Sequence, residues 1–172
     1  MKVSRAAAAV VAAGVLGLGL AVPAAGSSGA EQPVGRCTNA ELTASYHPGD
    51  AATSHRYGRI VLRNRSDHAC RTGGYGGLSY VGHGDGTQIG AAAVREPGTV
   101  RSIVVAPGQR VVSRVAEAVA AAYPRRTCRP AHVDGFRVYL PDETRSQFVA
   151  HPTTGCRNDG VHLLSHRAYR RP

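Results

Sequence analysis

"YGRIVLRNRSDHACRTGGYGGLSYVG", residues 57–82, holds two apolar runs separated by Asn, Ser, Asp, Cys and four glycines. In the first run Ile60 and Leu62 fall on one face of an extended chain, and Arg59, Val61 and Arg63 on the other. That is the period of two that a strand requires. Asn64, Ser66 and Asp67 are turn formers that end it. Gly73, Gly74, Gly76 and Gly77 permit unusual backbone angles before "LSYVG" (78–82) resumes as a strand. The same stretch sets Asp67 and His68 beside Cys70, so it reads either as a reactive site or as a stapled turn. A nucleophilic Cys70 needs a free thiolate with a base in contact. A bridged Cys70 instead ties the strand exit to the chain start. The stapled turn accounts for more of these residues and is the expectation. The glycines form no phosphate cradle, because no Gly-Lys-Ser/Thr and no helix follow them.

The same pattern repeats outward. "ELTASY" (41–46) puts Leu42, Ala44 and Tyr46 on one face, and "FRVYLP" (136–141) points Phe136, Val138 and Leu140 inward with Arg137 and Tyr139 outward. "TQIGAAAV" (87–94), "SQFVA" (146–150) and "VHLLSH" (161–166) read as further strands. Pro107-Gly108 turns the chain between two β-branched runs in 101–119. "VSRVAEAVAAAY" (112–123) also fits a helical face; a strand to about Glu117 followed by an irregular loop or short helix is expected. About eight short strands with turn signals every ten or so residues predict an all-β, antiparallel sandwich or barrel.

Residues 1–24 have a positive start (Lys2, Arg5), an uncharged apolar run from Ala6 to Leu20, and small residues around Ala24. This is the pattern of a signal peptide. The run is shorter than the roughly 20 residues of a membrane-spanning helix. Residues 25–36 read as a flexible leader, 37–167 as a single domain and 168–172 as a basic tail. Export and an even cysteine count predict disulfides among Cys37, Cys70, Cys128 and Cys156. Three pairings are open; the sequential one, Cys37–Cys70 and Cys128–Cys156, is favoured. A zinc site is disfavoured because there is no Cys-x-x-Cys.

Taken in order, Cys37 and Leu42, "IVLRNRSDHACRTGGYGGLSYVGHGDG" (60–86), "IVVAPGQRV" (103–111), "CRPAHVDGFRVYLP" (128–141) and Cys156 resemble a secreted actinobacterial family known as a domain of unknown function, number 4232. The family pattern is a strand ending in Asn-x-Ser, a Cys, Gly-Tyr-Pro, a strand, a Gly turn, a Pro-Gly turn, a Cys and a Leu-Pro strand. Gly76 departs from it, standing where the family usually has Pro. The resemblance implies an immunoglobulin-like β-sandwich, export or lipid anchoring, and usually two disulfides. It implies no activity and no catalytic residues.

No catalytic, metal or cofactor site is expected. His162 and His166 share a face at spacing four but have no third ligand nearby in sequence. No Gly-x-Ser-x-Gly occurs beyond residue 24, and Asn64-Arg65-Ser66 serves the turn rather than glycosylation. The charge is more informative. The chain carries a formal net charge of +10, and every basic residue after Lys2 is Arg. Guanidinium groups bind phosphate and carboxylate bidentately. Arg59, Arg63, Arg65 and Arg71 are the candidate polyanion-binding residues, with anionic wall polymers, lipid head groups or extracellular DNA as available partners. Too few aromatics interleave with the arginines for specific nucleic-acid binding. The expected protein is an exported, envelope-associated or extracellular, non-enzymatic binding module. The alternative is a secreted inhibitor or protein-interaction domain presenting a disulfide-anchored loop, 71–77 or 83–99.

Overall fold

Alternation carries the chain from Leu42 into a long hairpin. A computed structural model describes residues 33–172; the expected signal peptide and most of the leader lie outside the described residues. Strand β1 (Leu42–Ala52) pairs antiparallel with β2 (His55–Asn64), and Ser54 makes the turn at a φ of 62°. The strand expected to end at Tyr46 runs on to Ala52. His-Pro-Gly-Asp (47–50) has the composition of a turn, but a register shift between Pro48 and Ala51 absorbs the proline that cannot donate to the ladder.

Eleven strands form among the described residues, three more than expected. Further strands are β3 (Cys70–Gly73), β4 (Gly77–Gly82), β5 (Thr87–Ile89), β6 (Val94–Arg95), β7 (Ser102–Val105) and β8 (Arg110–Ala118). After them come β9 (Pro130–Tyr139), β10 (Ser146–Cys156) and β11 (Leu164–His166). A five-stranded sheet has the order β1-β2-β8-β11-β6, a four-stranded sheet β10-β9-β4-β5, and β3 pairs with β7. All pairings are antiparallel except β11 with β6. Between Ala118 and β9 lie a 3-10 turn, Ala120–Ala122, and one helical turn, α1 (Arg125–Cys128).

The inward faces of the two larger sheets supply one core. Ile60, Leu62, Val111 and Val115 come from the first; Tyr80, Val133, Phe136 and Val138 from the second; each is buried. Phe136 stacks on Tyr80 at 5.4 Å and meets Tyr46 of the opposite sheet at 5.1 Å. Of the three cysteine pairings, the structure has Cys37–Cys70 and Cys128–Cys156. With the Cys70 sulfur bonded to Cys37, no thiolate stands beside His68. His68 instead bonds Asp67 at 2.9 Å and Glu41 at 2.8 Å on the surface.

The turn after β2 is held by one buried side chain. Asn64 Nδ2 donates to the carbonyls of His68 and Val105, both at 2.8 Å, and its Oδ1 accepts from the Ser66 amide and hydroxyl. The loop then passes Gly76, whose added Cβ would lie 2.2 Å from the Tyr139 carbonyl oxygen. In this conformation no side chain fits there.

Both ends of the domain extend past their expected limits. Gly35 accepts from the Arg71 amide at 2.7 Å, and Cys37 donates to the Arg71 carbonyl at 2.9 Å, so the last leader residues run beside β3. The expected basic tail is packed: Ala168 and Tyr169 are buried, and Arg170 exchanges two backbone bonds with Val112. The arginines at 170 and 171 made the segment look solvated, but the Tyr169 ring anchors it.

Candidate functional site

Two strand segments share a spelling. "RIVLR" (59–63) lies in β2 and "RVVSR" (110–114) in β8, each with arginines four apart. Alternation puts both arginines of each segment on one face. The antiparallel register then sets Arg59 opposite Arg114, Val61 opposite Val112 and Arg63 opposite Arg110. This face points away from the core, and all four arginines are exposed. Arg170, opposite Val112 on the far side of β8, adds a fifth. On β1 the neighbours are Thr43, Ser45 and His47, opposite Arg63, Val61 and Arg59.

Like charges directly opposite on adjacent strands destabilise a sheet. Among the described residues, none of these five arginines has a carboxylate within 4.0 Å; the arginines that do are Arg36, Arg56 and Arg167. Val61 and Val112 are buried on this outer face, at 9% and 4% exposure. Each valine lies between two arginines of its own strand, whose long apolar stems suit such a position while the charged heads stay in water. The result is a buried valine pair flanked along both strands by exposed arginines.

Of the four sequence-expected residues, the sheet brings only Arg59 and Arg63 together. Arg65 lies beyond the end of β2. Arg71 belongs to β3 in a different sheet, beside Arg36. Arg110, Arg114 and Arg170 were not among the expected residues. The matched spacing of RVVSR was visible, but the pairing of β2 with β8 spans a crossover that the spelling does not encode.

A second polar constellation is buried. Glu117 is fully buried on the inner face of β8, opposite Arg56. Its Oε1 accepts from the Tyr46 hydroxyl at 2.7 Å, and its Oε2 from the Tyr80 hydroxyl at 2.5 Å and His151 Nε2 at 2.9 Å. An Arg56 guanidinium nitrogen is 3.8 Å away. Burial raises the carboxyl pKa, but the donors from His151, Tyr80 and Tyr46 outweigh it, and the group is held below its ordinary range. Burial and the adjacent carboxylate push both phenols up. The carboxylate accepts from side chains of both larger sheets, so this arrangement fastens them together. Beside it a concavity of about 450 Å³ is lined by Arg56, Tyr123, Arg125, Thr153 and Thr154 among others.

The histidines at spacing four part company: His162 is exposed and His166 is buried in β11. Burial, then the charge of Arg95, depresses the His166 pKa from 6.5 to about 4. A depressed histidine is neutral in the fold and takes up a proton on unfolding. Stability is therefore full above pH 6.5 and falls as pH drops toward about 4. The loss is about 1.4 kcal/mol per pH unit, or about 2 kcal/mol between pH 6.5 and 5. Exposed His68, whose pKa its carboxylate partners raise, acts weakly in the opposite direction. Denaturant melts at the two pH values should show this loss, and His166→Leu should flatten it; an equal slope in the variant places the acid sensitivity elsewhere.

A family model described as Domain of unknown function (DUF4232) matches residues 37–167. No curated protein and no solved structure matches the chain. No helix among the described residues is long and apolar enough to cross a membrane.

Proposed function

The chain belongs to the family described as Domain of unknown function (DUF4232), a description that assigns no activity, and we propose that it is an exported, non-enzymatic module that holds anionic polymers on its arginine-bearing sheet face. Wall polymers with a phosphodiester backbone are the partner chemistry. The observation that carries this reading is the facing of Arg59 with Arg114 and of Arg63 with Arg110, with no carboxylate among the described residues within 4.0 Å of any of them. A sheet selected for stability alone would alternate the charges across this pair of strands. A chain of negative charges laid across the face relieves the repulsion, and a guanidinium fork suits each phosphate. Two disulfides suit an oxidising compartment, and the apolar start of the sequence suits export.

A purified wall teichoic-type polymer is the test ligand, titrated in rising salt. Each arginine at an anionic surface contributes about 1 kcal/mol, so Arg59→Ser with Arg63→Ser should weaken binding about 30-fold. Arg125→Ser with Arg126→Ser, on α1, removes the same charge from another place and should cost far less. Equal losses in the two double variants make the attraction one of net charge and overturn the site. Binding that persists at high salt, where the Debye length is about 3 Å, points instead to a protein-type partner.

A further inference from the structure

We infer that the protein has a second, separate anion site, a cavity between Arg36 and the β3–β7 pair that takes a single phosphate-class group, either inorganic phosphate or a phosphate monoester. The cavity measures about 190 Å³ and is lined by Arg36, Arg71, Arg101, Thr72, Ser102 and Asp142, with Gly73 and Val100. It is too small for a length of polymer and lies on a different sheet from the Arg59 face.

Four observations converge on it. Three guanidinium groups and one carboxylate line it, and the carboxylate of Asp142 is taken by Arg36 at 2.5 Å. Among the described residues Arg71 and Arg101 have no carboxylate partner within 4.0 Å. Arg36 and Arg71 sit side by side in a parallel bridge, one residue from each end of the Cys37–Cys70 disulfide, so two like charges are held together by a covalent staple. The Thr72 hydroxyl is buried, in a residue only 8% exposed, and among the described residues has no hydrogen-bond partner. An orphaned buried hydroxyl is costly and calls for a missing partner. At Gly73 the backbone comes so close to Arg101 that an added Cβ would lie 2.0 Å from its carbonyl oxygen. The strands therefore meet there without a side chain between them, which fixes the backbone that carries Arg71 and Arg101. A tetrahedral oxyanion supplies acceptors for two guanidinium forks and for the orphaned Thr72 hydroxyl.

The test is titration of the protein with inorganic phosphate at constant ionic strength, followed by amide NMR shifts of residues 71–73 and 101–102, with chloride as the control. Saturable shifts at these residues are expected, at lower phosphate than any shifts at residues 59–63 and 110–114. Arg71→Ser should weaken phosphate binding about tenfold or more. Thr72→Val removes the orphaned hydroxyl at nearly constant volume, so it should weaken binding several-fold while leaving the melting temperature equal or higher. Asp142→Asn should tighten binding by freeing Arg36; Asp142 has a φ of 63°, which Asn tolerates. Arg59→Ser with Arg63→Ser should leave the shifts at residues 71–73 and 101–102 unchanged, which separates this site from the polymer-binding face. Non-saturable shifts matched by chloride overturn the site. So does phosphate binding that survives both Arg71→Ser and Thr72→Val, or that disappears in the Arg59/Arg63 variant.

Discussion

Reduction of both disulfides is expected to unfold the protein near 37 °C. Cys37–Cys70 closes a loop with a sequence separation of 33, and Cys128–Cys156 one of 28. By the chain-entropy relation each contributes about 3.5 kcal/mol. Together that is about 7 kcal/mol, against a total of about 5–15 kcal/mol for an ordinary domain. The bridges also stand where the ladder is weakest. The first fastens the segment around Cys37 to the four-residue β3, and the second joins the one-turn α1 to the end of β10. Thermal melts with and without a thiol-free reductant measure the effect. A two-state transition displaced by only a few degrees would show that the core alone carries the fold.

Loss of the Glu117 carboxylate is the other large expected effect. Glu117→Ala removes the shared acceptor of Tyr46, Tyr80 and His151 and leaves Arg56 without its acidic partner. Breaking a buried charged network from one side costs about 3–5 kcal/mol, which for a chain of this size lowers the melting temperature by about 10 °C. Glu117→Gln keeps the volume but turns an amide donor toward groups that are themselves donors, so it should cost less than Ala and still be severe. Tyr46→Phe deletes a single donor at a half-buried position and should cost about 1 kcal/mol. The expected order is Ala, then Gln, then the Tyr46 variant. A neutral Glu117→Ala would mean that the network is dispensable to the fold.

Much of the architecture was legible because strand alternation is a local signal. Phe136, Val138 and Leu140 are all buried, as their spacing in FRVYLP requires. The parts that escaped are those where local composition and tertiary context disagree. β3 is only Cys-Arg-Thr-Gly and reads as a turn; its pairing with β7 makes it a strand. β1 continues through a Pro-Gly that normally stops a strand, since a bulge accommodates it. Tyr169 is hidden among arginines yet donates its amide to Gly74 at 2.8 Å and is buried.

The sites divide the same way. Arg59 and Arg63 were readable as one face of one strand. Their opposition to Arg110 and Arg114 depends on a non-sequential pairing. Arg71 left the group because its strand belongs elsewhere. Glu117 sits in an Ala-rich run, and its partners come from four other strands, so no local pattern announces a buried acid there. The Thr72 orphan is likewise visible only once β3 and β7 are side by side.

The central claim is that the outer face of the five-stranded sheet binds an anionic polymer. The most direct test is retention of the protein on purified cell wall, with its anionic polymers intact or chemically stripped, across a salt series. Retention that requires the polymers, fades as the Debye length shrinks toward about 3 Å, and is lost in the Arg59→Ser, Arg63→Ser variant is the predicted result. Equal retention on intact and stripped wall, or none on intact wall at low salt, would contradict it.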